Sequence, residues 1–305
     1  MTSHTVILTQ PQAETLRGLL ADRGFTFVEK PHTLFAAKHD NPKLSVSVYT
    51  KGPKVLVQGK TTEHFVTSVL GSEILGEATL GRAEEHFPDR YTPHLGIDES
   101  GKGDFLGPLV IAGVYTDEAI TRSLVAAGVA DSKRITSDNR IRTLAESVRS
   151  TPGIAHHTIV LEPQRYNDLY TGFGNVNRLL ACGHAATIEA LLAKKPSCPR
   201  ALSDQFTDPA VLQSALGEKG QAIRLEQRTK AESDPAVAAA SILAREAFID
   251  WLRDKAITLD LPTPLPRGVS PKVIETTRAL TATHGPDILK KIAKTHFTTT
   301  RQIIP

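Results

Sequence analysis

The sequence is poor in cysteine and has no histidine pairs at metal-binding spacing. Its two cysteines are Cys182 and Cys198, and neither lies in a CxxC pair. The 11 histidines include no HxxxH or HExxH arrangement. These absences argue against a structural zinc site, an iron–sulfur cluster and a disulfide-stabilised secreted domain. We expect both thiols to be free and buried.

The sequence also lacks the features of a secreted or membrane-bound protein. The first residues, Met1-Thr-Ser-His-Thr-Val-Ile-Leu8, do not combine a basic segment with an apolar one. No apolar run approaches the roughly 18 residues that a membrane span requires. We therefore expect a cytoplasmic protein that does not associate with membranes.

Charge is nearly balanced, and the length allows two domains. The 305 residues include 36 Lys and Arg against 33 Asp and Glu, which gives a formal net charge of +3. A chain of this length usually forms about two domains. The 40% apolar content is enough for a sizeable core, which argues against a disordered protein. Total charge alone does not indicate a nucleic-acid-binding protein.

Residues 1–80 predict a small α+β domain with a basic surface. Four segments with strand-like apolar patterns predict an antiparallel meander at 25–29, 33–37, 44–48 and 54–57. Helices are predicted before and after it, at 10–23 and 62–75. From Lys30 to Lys60 the chain carries six lysines against the single acid Asp40. They are Lys30, Lys38, Lys43, Lys51, Lys54 and Lys60.

A polar segment at 81–93 predicts a linker, and residues 94–305 predict a second domain of the α/β class. The predicted strands are 95–98, 108–115, 155–161, 200–206 and 221–225. The predicted helices are 137–148, 175–193 and 236–255. A strand hairpin followed by strands that alternate with helices indicates a mixed sheet flanked by helices.

Two adjacent acids, Asp98 and Glu99, end a predicted strand and lead into a loop with glycines at 101, 103 and 107. Glycines in such a loop let another backbone or a ligand approach closely. The segment also resembles a GxxxxGK phosphate loop, but Gly103 stands where that motif needs Ser or Thr. A structural turn with solvated acids is the other alternative.

A third acid, Asp204, follows another short predicted strand. At that position it either joins the acids of the first strand or caps the helix that starts at Asp208-Pro209. Taken alone, the pattern does not choose between these two roles.

Two further acids, Glu232 and Asp234, precede a helix that begins with Pro235. A helix cap is the alternative role for either of them, since capping residues and proline favour helix starts. The alanine-rich face over 236–244 predicts that this helix packs closely on the sheet. Its first turn would then lie near the strands that carry the other acids.

Several of these segments together resemble the type 2 ribonucleases H. They are Asp98-Glu-Ser-Gly-Lys-Gly103, Phe105-Leu-Gly-Pro-Leu109, Asp131-Ser-Lys133, Lys230-Ala-Glu-Ser233 and Ala238-Ala-Ala-Ser-Ile-Leu-Ala-Arg245. The similarity covers about residues 95–305. Lys102, where ribonuclease HII usually has arginine, and the N-terminal extension point to the ribonuclease HIII branch. The resemblance implies an RNase H-like catalytic domain, a TATA-binding-protein-like domain at 1–80 that binds substrate, and cleavage of the RNA strand of RNA/DNA hybrids.

The chemistry of the acids agrees with that implication. Phosphodiester hydrolysis is served by two divalent ions about 3.5–4 Å apart, and carboxylates without clustered His or Cys favour Mg²⁺ or Mn²⁺ over zinc. The predicted catalytic metal ligands are Asp98, Glu99, Asp204 and Glu232, with Asp98 shared by both ions. Asp234 is the alternative fourth ligand; Glu232 is preferred because it lies in the Lys-Ala-Glu-Ser segment that resembles the family, which leaves Asp234 as the helix cap. Strand alternation sends Glu99 to the opposite face, so it can join the site only because the strand ends there.

Substrate contacts are predicted around the glycine loop, where backbone groups can test the 2′-hydroxyls of a hybrid duplex. The predicted substrate-binding residues are Ser100, Gly101, Lys102, Gly103 and Lys133. The segment 263–305 holds seven basic residues against two acids. That excess predicts either an extension of the phosphate-binding track or a loose solvated helix.

Two alternative functions stay open at this stage. One is ribonuclease HII-like incision at single ribonucleotides in DNA, which differs in substrate and not in chemistry. The other is a hybrid-binding module without activity, which the presence of all four acids disfavours. We expect an RNA/DNA hybrid as partner, a monomeric protein and no protein partner.

Overall fold

The structure of the chain is a computed structural model. It divides between residues 87 and 88 into two compact units. The structure describes residues 2–40, 43–66, 69–70, 74, 88–129, 135, 137–229 and 231–304. The division falls inside the segment predicted as a linker, and the 3₁₀-helix Pro88–Tyr91 belongs to the second unit. In these described ranges, no helix is both long and apolar enough to cross a membrane.

The first unit is a five-stranded antiparallel sheet with helices packed on one face. Its strands are β1 (Thr2–Ile7), β2 (Thr26–Val28), β3 (Thr33–Asp40), β4 (Lys43–Tyr49) and β5 (Lys54–Gly59), in the spatial order β1-β5-β4-β3-β2. Its helices are α1 (Gln10–Asp22) and α2 (Thr62–Phe65). Alternation along β4 sends Val46 and Val48 into a core shared with Leu16 and Leu20 of α1.

The α+β prediction for this unit is confirmed, with one strand added. The strand β1 was not predicted, because its first residues are polar and give no apolar alternation. It lies at the edge of the sheet, where Val6 pairs with Val55 of β5. Of the helix predicted at 62–75, the structure shows α2, and most of the remainder lies outside the described residues.

The second unit is built on a mixed five-stranded sheet, as predicted. Its strands are β6 (His94–Ser100), β7 (Leu109–Thr116), β8 (Ala155–Leu161), β9 (Arg200–Asp204) and β10 (Arg224–Arg228), in the order β10-β9-β6-β7-β8. Its helices are α3 (Glu118–Ala126), α4 (Asp138–Ser150), α5 (Pro163–Phe173), α6 (Val176–Lys194), α7 (Pro209–Ala215), α8 (Glu218–Gln221), α9 (Pro235–Thr258), α10 (Pro271–His284), α11 (Ile288–Ile292) and α12 (Thr300–Ile303). The strands β6, β7 and β8 run antiparallel, and β9 runs parallel to β6.

The central strand β6 presents different residues to the two helical layers. Its Leu95 and Ile97 pack in a core with Ile188 of α6. On the other side, a Cβ atom at Gly96 would lie 2.2 Å from the backbone carbon of Ala236 in α9. The alanine-rich start of α9 therefore packs directly on β6, as its sequence predicted.

The segment 263–304 is an integral part of the second unit and is not a loose solvated helix. Its Val273, Leu280 and Ile288 belong to the core that α9 helps to form. One of its basic residues, Lys294, is fully buried, and Arg278 donates to the backbone oxygen of Gln302. The buried Lys294 therefore stabilises the fold, and phosphate binding by the exposed basic residues of this segment stays a prediction.

Two smaller expectations have different outcomes. Cys198 is buried as expected, whereas Cys182 is exposed on α6, because that helix turns Ala181 and Ala185 toward the core. Lys133 lies outside the described residues, so its role in substrate binding stays a prediction.

Candidate active site

Three of the four predicted acids lie at one edge of the second sheet. Asp98 and Glu99 are near the end of β6, and Asp204 ends the parallel neighbour β9. The carboxyl ends of parallel strands meet at the same edge, which brings these side chains together. They line a cavity of about 350 Å³. Its other lining residues are Ser100, Gly101, Lys102, Gly103, Ser241 and Arg245.

Asp98 is the buried member of this group. Burial raises the pKa of Asp98 to about 7, and the nearby carboxylates of Glu99 and Asp204 act in the same direction. Two hydrogen bonds act the other way, one from the Ser241 hydroxyl and one of 2.8 Å from the Glu99 N–H to Oδ1. The site therefore concentrates negative charge where a cation would lower its energy.

Asp204 is fixed by the segment that precedes α9. Its Oδ1 accepts a hydrogen bond of 3.1 Å from the backbone N–H of Ala231. The cap of α7 is a different residue, Asp208, whose Oδ1 accepts from the N–H of Ala210 at 2.9 Å. The alternative role of Asp204 as a helix cap is therefore not the one that the structure shows.

The two acids before α9 occupy different surroundings. Glu232 lies in the 3₁₀-helix Ala231–Ser233, directly after the residue that bonds Asp204, but it does not line the cavity. Asp234 is the N-cap of α9, and its buried Oδ1 accepts from the N–H of Ala236 at 2.8 Å. The same oxygen lies 3.0 Å from Nε2 of the buried His94. Asp234 thus has a structural role, and Glu232 stays the predicted fourth ligand.

Glu99 is held by a residue of α6, whereas Asp98 is held by a residue of α9 on the other face of the sheet. Its Oε2 lies 3.2 Å from Nε2 of His184, a fully buried residue of α6. The other ring nitrogen of His184 lies 3.1 Å from Oγ of Ser203 in β9. Glu99 and Asp98 therefore leave β6 on opposite faces, as strand alternation predicts. On its face of the sheet, the carboxylate of Glu99 contacts the buried side chain of His184.

The glycine loop contains two kinds of glycine. Gly101 has a φ of +87°, and a Cβ there would lie 2.3 Å from the backbone oxygen of Pro108, so the fold itself requires glycine. A Cβ at Gly103 would meet no atom within 4 Å. The fold does not require glycine at Gly103, which is a position where a ligand backbone can come close.

Lys102 is half-buried on the rim of the cavity. Its Nζ lies 3.8 Å from Oε1 of Glu99 and 5.3 Å from the ring centre of Phe206. The ammonium group therefore sits beside the acids and is held over an aromatic face. That position suits contact with a phosphate that approaches the carboxylates.

The far side of the glycine loop is anchored by residues from much later in the chain. The buried Nζ of Lys294 donates to the backbone oxygens of Asp104 at 2.9 Å and Gly107 at 2.7 Å. Burial lowers the pKa of Lys294 to about 7, against the opposing charge of Asp104. The loop is also tied by the N–H of Gly107 to the oxygen of Ile292 at 2.8 Å.

Three residues at or near the site were given no role by the sequence. They are His184, Ser241 and Arg245. Lys294 was predicted only as one of the basic residues of the segment 263–305, and its structural contacts were not. The spacing of Ser241 and Arg245 places both on one side of a helix, which is a signal that the sequence does contain. His184 and Lys294 give no local signal, since their partners are distant in sequence.

Comparison with known proteins identifies the family. A profile of the family described as Ribonuclease HII matches residues 95–300. Ribonuclease HIII of Protochlamydia amoebophila is 41% identical over 292 residues, which cover 96% of this chain and 93% of that protein. Ribonuclease HIII of Chlamydia abortus is 41% identical over 295 residues, with coverage of 95% and 94%. The chain belongs to the ribonuclease HIII family.

Solved structures of ribonuclease HIII share this fold. Bst-RNase HIII in complex with Mn²⁺ is 26% identical and has a TM-score of 0.68, with coverage of 99% of this chain and 98% of that one. Aquifex aeolicus RNase H3 is 25% identical with a TM-score of 0.55, and coverage is 97% and 100%. The RNase H-like catalytic fold with a β-rich N-terminal domain is therefore confirmed.

The acids of this ribonuclease HIII chain fit a divalent ion by their chemistry. All are hard oxygen donors, and their mutual repulsion contributes to the raised pKa of Asp98. Within the described part of the chain, no three acidic, histidine or cysteine side chains form a ready-made metal cage. Mg²⁺ is usually bound by one or two carboxylates together with water and substrate phosphate, so an open set of carboxylates suits it.

Proposed function

We propose that this chain is a metal-dependent endoribonuclease that hydrolyses the RNA strand of RNA/DNA hybrids. The observation that carries the proposal is the meeting of Asp98, Glu99 and Asp204 around one cavity with a glycine loop on its rim. Membership of the ribonuclease HIII family supports it. The Mn²⁺ bound to Bst-RNase HIII supports a divalent metal.

The proposed metal ligands are Asp98, Glu99 and Asp204, with Glu232 added from the adjoining turn. These carboxylates would hold two divalent ions, either Mg²⁺ or Mn²⁺, which would supply an activated water and neutralise charge on the phosphate. Asp98 suits the shared position, because both Glu99 and Asp204 are close enough to raise its pKa. The hydrogen bonds from Ser241 and Ala231 fix the carboxylates of Asp98 and Asp204.

We assign the discrimination of RNA from DNA to the segment from Ser100 to Gly103. A hybrid duplex presents its 2′-hydroxyls in a wide, shallow minor groove. The open space beside Gly103 lets backbone groups approach that groove, while Gly101 holds the turn in place. Lys102 then lies on the phosphate side of the same loop.

Asp204→Asn is expected to abolish cleavage while the fold and hybrid binding stay intact. The asparagine oxygen can still accept from Ala231, but a charged metal ligand is lost. We expect kcat in Mg²⁺ to fall by more than about 10³-fold. The measurement is cleavage of a labelled hybrid in Mg²⁺ and in Mn²⁺, with hybrid binding measured in EDTA.

Asp117→Asn is the matched control, because Asp117 caps α3 and asparagine caps equally well. Near-normal turnover of Asp204→Asn would contradict the assignment. A second duplex with a single ribonucleotide in DNA separates this activity from ribonuclease HII-like incision.

We further propose that the first unit binds the hybrid through the open face of its sheet. Alternation in β3, β4 and β5 points Ala37, Val46 and Val57 into the core. The opposite face then carries the side chains of Lys38, Lys43 and Lys54. Lys30 joins this face, since its Nζ lies 3.1 Å from Ser47 Oγ and 5.5 Å from the Tyr49 ring centre.

Neutralising lysines on this face is expected to weaken hybrid binding and flatten its salt dependence. In Lys38→Gln/Lys54→Gln, two phosphate contacts are lost, and each contact contributes about 0.7–0.9 to the slope of log K against log[salt]. Lys51→Gln/Lys60→Gln is the matched control, because it removes the same charge from outside the strands. The measurement is hybrid affinity over about 50–200 mM salt. Equal affinities and slopes for the two double variants would show that the face does not bind the hybrid.

A further inference from the structure

We propose that His184 is a positioning residue that holds Glu99 in its metal-binding orientation, an inference that rests on the proposed function. The side chain of Glu99 leaves β6 on the face opposite Asp98, so the strand alone does not bring the two carboxylates to one ion. The contact between Glu99 Oε2 and His184 Nε2, at 3.2 Å, fixes the glutamate at the sheet edge. Glu99 lines the same cavity as Asp98 in this orientation.

Hydrogen-bond chemistry determines which ring nitrogen of His184 donates to Glu99. A carboxylate only accepts hydrogen bonds, so Nε2 carries the hydrogen and donates to Glu99. Nδ1 then faces Oγ of Ser203 at 3.1 Å, and that oxygen also lies 3.0 Å from the backbone oxygen of Asp204. The imidazole therefore bridges the ends of the two strands that carry Glu99 and Asp204.

The ring has no freedom to turn away from this position. His184 is fully buried in α6, and the ring of Phe206 packs on it with 4.8 Å between ring centres. Phe206 in turn lies under the ammonium group of Lys102. Partners that orient a metal ligand in this way commonly change metal affinity or activity by about 10–100-fold when they are removed.

Two substitutions of similar size separate this role from a purely structural one. In His184→Gln the amide nitrogen reaches as far along the side chain as Nε2, so a donor to Glu99 is kept. In His184→Asn the amide reaches only as far as Nδ1, so the contact with Ser203 is kept and the donor to Glu99 is lost. Both variants replace a buried ring with a smaller amide, and thermal unfolding establishes that they fold.

The deciding measurement is Mn²⁺ affinity without substrate, obtained by electron paramagnetic resonance titration, together with hybrid cleavage. We expect His184→Asn to raise the Mn²⁺ dissociation constant and lower kcat by about 10–100-fold. His184→Gln should stay close to the unsubstituted protein in both. Hybrid binding in EDTA should be unchanged in both variants.

Equal Mn²⁺ affinity in all three proteins would overturn the role of His184. The role would also be overturned if His184→Asn and His184→Gln lost Mn²⁺ affinity and kcat equally, and in proportion to their loss of thermal stability. If His184→Asn does not fold, Ser203→Ala replaces it, with an expected severalfold weaker Mn²⁺ binding and with unchanged binding as the contrary result. An unsubstituted protein that neither binds Mn²⁺ nor cleaves hybrid would instead overturn the proposed function.

Discussion

Asp98→Asn is expected to stop cleavage and, without divalent metal, to make the folded protein more stable at pH 8. Burial and the charges of Glu99 and Asp204 raise the pKa of Asp98 to about 7. The folded protein therefore holds a costly charge above that pH. The neutral asparagine removes this charge and keeps an oxygen that can accept from the N–H of Glu99.

The sign of the pH dependence follows from proton binding. A carboxyl with a higher pKa in the folded state binds more protons there than in the unfolded chain. Stability of the unsubstituted protein therefore falls as pH rises from about 4 to about 7, and the full penalty is present above that range. The difference corresponds to at most about 4 kcal/mol in free energy of unfolding. Asp98→Asn should show no such penalty.

Urea unfolding at pH 5 and pH 8 in EDTA measures this effect, and hybrid cleavage in Mg²⁺ measures the loss of activity. We expect the stability gain of Asp98→Asn to be larger at pH 8, and kcat to fall by more than about 10³-fold. Added Mn²⁺ should stabilise the unsubstituted protein more than the variant, because the ion relieves the repulsion. A stability difference that is the same at both pH values would contradict the argument.

Asp234→Ala is expected to give the largest loss of stability among the acids near the site, with little change in turnover. The carboxylate caps α9 and also accepts from the buried His94. The Nδ1 atom of His94 lies 2.7 Å from the backbone oxygen of Thr92, so both ring nitrogens face acceptors. Removing Asp234 loses the cap and also leaves a buried donor of His94 without its acceptor, which costs about 1–3 kcal/mol beyond the ~1 kcal/mol of an exposed cap.

The companion variant Glu232→Gln should behave in the opposite way. It is isosteric at a half-buried turn, so the free energy of unfolding should change little, while kcat should fall if Glu232 is the fourth metal ligand. Urea unfolding and hybrid cleavage at a temperature where both variants are folded decide the matter. Loss of turnover in Asp234→Ala with normal turnover in Glu232→Gln would transfer the catalytic role to Asp234.

The sequence predicted those parts of the site that depend on local pattern. Asp98 and Asp204 could be placed at one sheet edge, because each follows a short apolar strand. Close packing of α9 on β6 could be predicted from its run of alanines, and the contact at Gly96 confirms it. Even the divergence of Glu99 from Asp98 followed from the two-residue period of a strand.

The sequence could not predict contacts that the fold makes over long separations. His184 lies among apolar residues of a long helix, and its partner Glu99 is 85 residues away. Lys294 lies in a segment rich in basic residues, so its burial against carbonyls 187 and 190 residues earlier has no local signal. The strand β1 was missed for a related reason, since its edge position leaves polar residues in place of an apolar alternation.

The anchoring of the glycine loop by Lys294 also sets an order of events during protein synthesis. The strand β6 and the loop leave the ribosome long before the ammonium group that binds the carbonyls of Asp104 and Gly107. Buried carbonyl oxygens that lack a hydrogen-bond donor raise the free energy of the folded loop. The loop therefore cannot adopt its final conformation until residues 292–294 have left the ribosome. Under the proposed function, a nascent chain therefore carries Asp98 and Glu99 well before its glycine loop is ordered for RNA binding, and we expect competence for cleavage only late in translation.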